Sequence, residues 1–130
     1  NELSGRVRIA YGTYEASSLA GASEIEMFIL PDGARLVQGN LAYDALGGGT
    51  TLSVGYAAHT NAAGTAVSAA AAAYKAAAAS TSAQKVDVLA TIALGSGTET
   101  DANESGVAIT VTNAGTATGS IELTIMYVVD

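Results

Sequence analysis

His59 is the one histidine in the chain, so a serine-hydrolase triad or a zinc site would have to be built around it. The chain has no cysteine, which excludes thiol nucleophiles, thiolate metal ligands and disulfide bonds. No Gly-x-Ser-x-Gly elbow is present to hold a serine nucleophile, and a triad needs partners that converge. We therefore expect His59 to lie in a solvated loop, and we predict no catalytic residue.

The segment 98–105 contains four oxygen-bearing side chains, those of Glu99, Asp101, Asn103 and Glu104. Acidic residues at alternating positions are able to wrap a hard cation such as Ca²⁺. The spacing matches no EF-hand loop, and charge runs between strands usually face water. A solvated acidic loop is the favoured interpretation, a weak cation loop is the alternative, and we predict no cofactor.

Two further motifs resemble catalytic ones but have simpler structural explanations. The glycines from Gly47 to Gly49 lack the Lys-Ser/Thr ending of a phosphate loop and precede a predicted strand, so they predict a turn. Glu24 and Glu26 share one face of a predicted strand about 7 Å apart, a separation that a glycosidase pair can have. No lined aromatic cleft accompanies them, so we expect an exposed strand edge and predict that the chain is not an enzyme.

Arg6, Arg8 and Arg35 are three of only five basic residues, and the first two alternate along a predicted strand. Such arginines either form cross-strand salt bridges or offer docking points to an acidic partner surface. The salt-bridge interpretation is favoured on the residues alone.

The overall charge argues against a nucleic-acid partner. Five basic and twelve acidic residues give a formal net charge of −7, whereas phosphate backbones need clustered lysine and arginine. No apolar run approaches the roughly 18 residues that a membrane-spanning helix needs, so we predict no membrane partner.

Alternation of polar and apolar residues predicts about seven short strands separated by glycine-rich turns. In the first strand Val7, Ile9 and Tyr11 are expected to point inward, and the last two strands are expected to pair as a hairpin with an exposed loop tip at 113–119. The predicted strands cover residues 6–15, 24–30, 35–45, 50–56, 86–92, 106–112 and 120–129.

The segment 65–80 differs from the rest, because alanines surround Tyr74 and Lys75 without strand alternation. Alanine has the highest helix propensity, so the segment predicts a short helical insertion anchored by Tyr74, with a flexible low-complexity loop as the alternative.

These elements predict an all-β, antiparallel β-sandwich or jelly-roll-like fold. A length of 130 residues is typical of a single domain, which we expect to cover residues 1–130. Residues 1–5 contain too few apolar side chains to fold alone and are expected to form an extended N-terminal arm.

Four segments resemble, in order along the chain, virion structural proteins of tailed bacteriophages. The resemblance implies a jelly-roll capsid decoration (cement) protein, commonly a homotrimer, on the outer surface of the icosahedral head. Such a protein would bridge major capsid protein subunits and stabilise the shell against internal DNA pressure. The segments are SGRVRIAYG (4–12), LPDGARLVQG (30–39), TLSVG (51–55) and ATGSIELTIMYVV (117–129).

Under this hypothesis the N-terminal arm and the three arginines are the candidate contacts with the capsid or with other copies. The alternative is a carbohydrate-binding or host-attachment module, in which tyrosines would stack on sugar rings, although the chain has no tryptophan. The candidate contacts are Asn1, Glu2, Leu3, Ser4, Arg6, Arg8 and Arg35, and the candidate stacking residues are Tyr11, Tyr14, Tyr43 and Tyr56.

Overall fold

Two four-stranded antiparallel sheets pack face to face in the computed structural model, which describes residues 6–89 and 99–129. The predicted all-β sandwich or jelly-roll-like fold is confirmed. The described residues form no helix, and so none that could cross a membrane. The first sheet has the strand order β1 (Val7–Leu19), β10 (Ala117–Val129), β3 (Ala34–Tyr43), β8 (Gln84–Val88). Across the second lie β2 (Glu24–Leu30), β9 (Val107–Ala114), β4 (Thr51–Tyr56) and β7 (Ala70–Ala79), while β5 (His59–Thr60) pairs with β6 (Ala66–Val67).

The core lies between the two sheets and follows the predicted alternation in β4, β9 and β10. Leu52 and Val54 of β4 are buried as expected, and so are the alternate apolar residues of the other two strands. Each such side chain stabilises the fold by roughly 1.5–3 kcal/mol through removal from water. The buried residues of β9 are Val107, Ile109 and Val111, and those of β10 are Ile121, Leu123 and Ile125.

The expected hairpin of the last two strands is wrong, because β9 and β10 lie in different sheets. β9 pairs with β2 and β4, whereas β10 pairs with β1 and β3. The chain crosses from sheet to sheet at Gly115, whose φ of 76° suits glycine. The predicted exposed loop tip is observed in part, because Ala114, Gly115 and Thr116 are exposed whereas Asn113 is only 2% exposed. Alternation reveals that both strands are half-buried but does not identify their partners.

The predicted helical insertion at 65–80 is also wrong, because the segment forms β6 and β7. Helix propensity is a weak local preference, and here it is overridden by pairing of β7 with β4 at the edge of the second sheet. Gly55 of β4 permits this contact, since a Cβ atom there would overlap the carbonyl oxygen of Ala70. The expectation that Tyr74 anchors the segment is confirmed, because its side chain is 4% exposed.

Two β-bulges reverse the facing of apolar residues that simple alternation would place inside. A bulge between Glu26 and Phe28 leaves Ile29 64% exposed, and one opposite β10 leaves Val37 51% exposed. Leu36 and Leu30 are buried instead. Residues 90–92 of the predicted fifth strand lie outside the described residues.

Candidate functional site

The outer face of the first sheet carries the most exposed apolar side chains of β1. Val7, Ile9 and Tyr11 are 55%, 66% and 57% exposed, so the expectation that they point inward is wrong. Close packing of β1 on β2 explains the reversal, because a Cβ atom at Gly12 would lie 2.6 Å from the carbonyl oxygen of Met27. At Gly12 only a residue without a side chain fits on the inner face, and the large side chains of Val7, Ile9 and Tyr11 point outward. The small inner-face residues are Ala10, Gly12 and Ala16, and the larger Tyr14 on the same face stays 38% exposed.

Neighbouring strands extend this surface, which we call the apolar patch. Residues that pair directly across strands share a face, and Val7 pairs with Val128 while Ile9 pairs with Met126. The bulge in β3 adds Val37 beside them. The apolar patch consists of Val7, Ile9, Tyr11, Val37, Met126 and Val128.

The three candidate arginines lie at the end of the first sheet that carries the apolar patch. Arg35 pairs with Val128 and therefore shares its face, and its guanidinium donates to Glu99 Oε2 at 2.9 Å. Arg6 and Arg8 alternate with Val7 along β1, so they leave the opposite face of that strand, and both are exposed. Neither forms an ion pair among the described residues. The favoured salt-bridge interpretation thus holds for Arg35, and residues 1–5 of the predicted arm lie outside the described residues.

The acidic loop uses its side chains to bind neighbouring parts of the chain. Glu99 pairs with Arg35, Asp101 Oδ1 accepts from the Ala62 N–H at 3.1 Å, and Asn103 Oδ1 accepts from the Ser105 N–H at 2.9 Å. Within the described part of the chain, Glu99, Asp101 and Glu104 belong to no group of three acidic or histidine side chains able to hold a metal ion. These bonds attach the acidic loop to β3 and to the turn after β5, which is a structural role.

His59 is half-buried at the start of β5, so the expectation of a solvated loop histidine is wrong. Its Nδ1 lies 2.9 Å from the carbonyl oxygen of Ala57, and its Nε2 lies 3.1 Å from that of Asp101. The ring also meets Tyr56 edge-on with centroids 5.3 Å apart. Among the residues that the structure describes, two backbone carbonyl oxygens rather than a carboxylate lie against the ring nitrogens of His59.

A half-open cavity of about 230 Å³ lies beside His59 and is lined by aromatic and acidic side chains. Burial raises the pKa of Tyr74 to about 12, with a smaller contribution from the neighbouring Tyr56. Burial also lowers the pKa of Lys75 on the same strand. The aromatic and acidic residues of its lining are Tyr56, His59, Tyr74, Glu99 and Asp101. The sequence gives no sign of this cavity, because its walls come from segments that are far apart along the chain.

The tyrosines of the carbohydrate-binding alternative do not converge. Tyr43 is 7% exposed, and its hydroxyl donates to the carbonyl oxygen of Ala79. Tyr11 faces outward, whereas Tyr14 pairs with Ile121 and so leaves the other face of β1. One sugar ring cannot stack on side chains placed on opposite faces.

Comparison with known proteins relates the fold to chains of phage capsid structures. No family model matches the sequence, and the search of curated proteins gives no match. A chain in the capsid of Ralstonia phage GP4 has a TM-score of 0.71 and 21% identity, covering 100% of this chain and 88% of its own. A chain in the capsid asymmetric unit of cyanophage Pam1 has a TM-score of 0.69 and 20% identity, covering 100% and 89%. A chain in the acidic stable capsid structure of Helicobacter pylori bacteriophage KHP30 has a TM-score of 0.52 and 16% identity, covering 95% and 87%. The sandwich fold of this chain is thus one that phage capsid structures contain.

Proposed function

We propose that the chain is a non-enzymatic structural protein of a phage virion, and more specifically a capsid decoration (cement) protein. It binds the outer surface of the icosahedral head and stabilises contacts between major capsid protein subunits. The observation that carries the proposal is the likeness of the whole chain to chains in two phage capsid structures, at TM-scores of 0.69 and 0.71. The exposed apolar patch supports it, because such patches mark interaction sites.

The proposed protein is a single domain that acts as a homotrimer. Repeated attachment to a symmetric lattice multiplies weak contacts into strong avidity, so no single interface needs to be large. The net charge of −7 fits a protein surface rather than nucleic acid as partner, and no cofactor is required. The proposed contacts with the capsid or with other copies are Asn1, Glu2, Leu3, Ser4, Arg6, Arg8 and Arg35.

Cosedimentation of the purified chain with undecorated phage heads tests the proposal, together with light scattering of the chain alone. Saturable binding at a fixed copy number per capsomer is the expected result, with the mass of a trimer in solution. Deletion of residues 1–5 is expected to weaken head binding while the sandwich stays folded. Absence of saturable binding by the intact chain would contradict the decoration role.

A further inference from the structure

We propose that β1 meets the capsid shell with its outer face, which carries the apolar patch, and with its open edge, and that the shell residues it contacts are apolar and acidic. Arg35 lies on the face of the apolar patch, whereas Arg6 and Arg8 project from the other face of the same edge strand. This inference rests on the proposed function and adds to it the side of the sandwich that faces the shell and the chemistry of the partner. Three observations carry it: exposure, charge and an open strand edge.

Exposure distinguishes the apolar patch from ordinary surface residues. Single exposed apolar side chains are common, whereas contiguous ones mark interaction sites. Four members, Val7, Ile9, Tyr11 and Val37, are more than half exposed, and three of them lie on one strand. Packing of β1 against β2 requires small residues inside but places no requirement on size outside. The large outward side chains are therefore explained by a partner rather than by the fold.

Charge indicates which partner fits. Three of the five basic residues lie at this end of a chain whose net charge is −7. Among the described residues Arg35 is paired with Glu99, while Arg6 and Arg8 have no carboxylate partner. The apolar patch contains no carboxylate, so a second copy that met it patch to patch would offer no acidic group from its own patch to these arginines, which disfavours a second copy. A partner surface with carboxylates is complementary.

The edge position of β1 gives the partner a place to bind. β1 is the outermost strand of the first sheet, so one side of its backbone has no strand partner among the described residues. The close contact of β1 with β2 is at Gly12, and within 6–89 and 99–129 no strand pairs with the outer edge of the stretch from Val7 to Tyr11. Unpaired edges of this kind accept an extended segment through backbone hydrogen bonds while side-chain pockets give specificity. An acidic, partly apolar segment of the shell protein fits this edge.

Substitutions on two equally exposed isoleucines test the inference. Ile9→Asn in the apolar patch is expected to weaken binding to undecorated heads about tenfold or more, since one buried apolar side chain accounts for at least that factor. Ile29→Asn is the matched control, because Ile29 is 64% exposed against 66% for Ile9 but lies on β2 in the other sheet.

A charge reversal tests the role of the arginines. Arg8→Glu is expected to weaken binding to heads and to make that binding less dependent on salt. Lys85→Glu on β8 is the control and is expected to leave the affinity and its salt dependence unchanged.

Each other outcome has a defined meaning. Wild-type affinity of both Ile9→Asn and Arg8→Glu would overturn the inference while the proposed function stands. Equal weakening by Ile9→Asn and Ile29→Asn would also overturn it, because binding would then lack a preferred face. A change in the solution mass of Ile9→Asn, measured by light scattering, would assign the apolar patch to a second copy and overturn it. Failure of the wild-type chain to bind heads would overturn the proposed function and this inference together.

Discussion

Asn113 holds the crossing between the two sheets through hydrogen bonds of its buried side chain. Its Oδ1 accepts from the Ser23 N–H at 3.1 Å, and its Nδ2 donates to the Gly115 carbonyl at 2.8 Å. Asn113→Ala would remove both bonds and leave the partly buried Ser23 N–H without its acceptor, so we expect a loss of about 2 kcal/mol in the free energy of unfolding. Urea unfolding at neutral pH measures this loss.

The control for that substitution is Asn61→Ala in the turn between β5 and β6. Asn61 Oδ1 accepts from the Thr65 N–H at 2.9 Å, but this turn is exposed and water can replace the bond. We expect a loss below about 1 kcal/mol. Equal losses for the two variants would show that Asn113 has no special role at the crossing.

Tyr74 makes the stability of the sandwich sensitive to alkaline pH. Its pKa is raised from 10.0 to about 12, because burial disfavours the phenolate. A raised folded-state pKa contributes stability that is complete below about pH 10 and is lost as pH rises through about 12. The loss amounts to about 2–3 kcal/mol, since each pKa unit corresponds to about 1.4 kcal/mol.

Tyr74→Phe removes this titration and fills the same space. We expect nearly unchanged stability at neutral pH and a smaller decline between about pH 9 and about pH 11.5 than in the wild-type chain, measured by urea unfolding at each pH. Tyr11→Phe, at an exposed position, should retain the wild-type decline. A wild-type decline in Tyr74→Phe would assign the alkaline sensitivity to other groups.

At the scale of elements, the approach of β7 to β4 depends on Gly55. A Cβ atom there would overlap backbone atoms of Ala70 and Ala71, and backbone atoms of a paired strand cannot move aside as a side-chain tip can. We therefore expect Gly55→Ala to lower the free energy of unfolding by about 3 kcal/mol or more. Gly48→Ala is the control, since nothing lies within 4 Å of the added methyl group. Thermal unfolding of the two variants is the measurement. Equal unfolding temperatures would mean that β7 can move away from β4 without loss of stability.

The same elements show how far sequence patterns predict the fold. Period-two alternation locates most strands and the buried residues of β4, β9 and β10, because a half-buried strand requires it. It fails in β1, where contact with β2 selects small inner residues, and at Ile29 and Val37, where a bulge shifts the face. Local propensity misassigns β7, since the long-range pairing that decides its conformation leaves no local signal.

The surface formed by the apolar patch and the three arginines was predictable from the sequence only in part. Arg6, Arg8 and Arg35 stand out in an acidic sequence, and the strand ladder does place them at one end of the first sheet. The apolar patch beside them was not predictable, because apolar residues that alternate along a strand indicate one shared face without saying which face is buried. Only the structure, in which Gly12 lies against β2, distinguishes the two.

At the scale of the whole molecule, the surplus of negative charge opposes folding at neutral pH. Twelve acidic residues face five basic ones, and the described residues contain a single ion pair, Arg35 with Glu99. Salt screens repulsion between exposed charges, so we expect the unfolding temperature to rise by a few degrees between about 20 and about 200 mM sodium chloride. Proposed binding to heads through arginines should weaken over the same range, so salt has opposite effects on the two properties.

Neutralisation of the two glutamates on β2 tests directly whether repulsion between negative charges lowers the stability. Glu24 and Glu26 are both exposed and lie two residues apart on one strand, so Glu24→Gln with Glu26→Gln removes two of the twelve negative charges without altering the core. We expect this double variant to unfold at a higher temperature than the wild-type chain in low salt and to gain less when salt is added. Lys85→Gln on β8 should change the unfolding temperature in the opposite direction, because it makes the net charge more negative. A wild-type salt response in the double variant would mean that the stabilisation by salt arises from ion binding at a particular site rather than from screening of the overall charge.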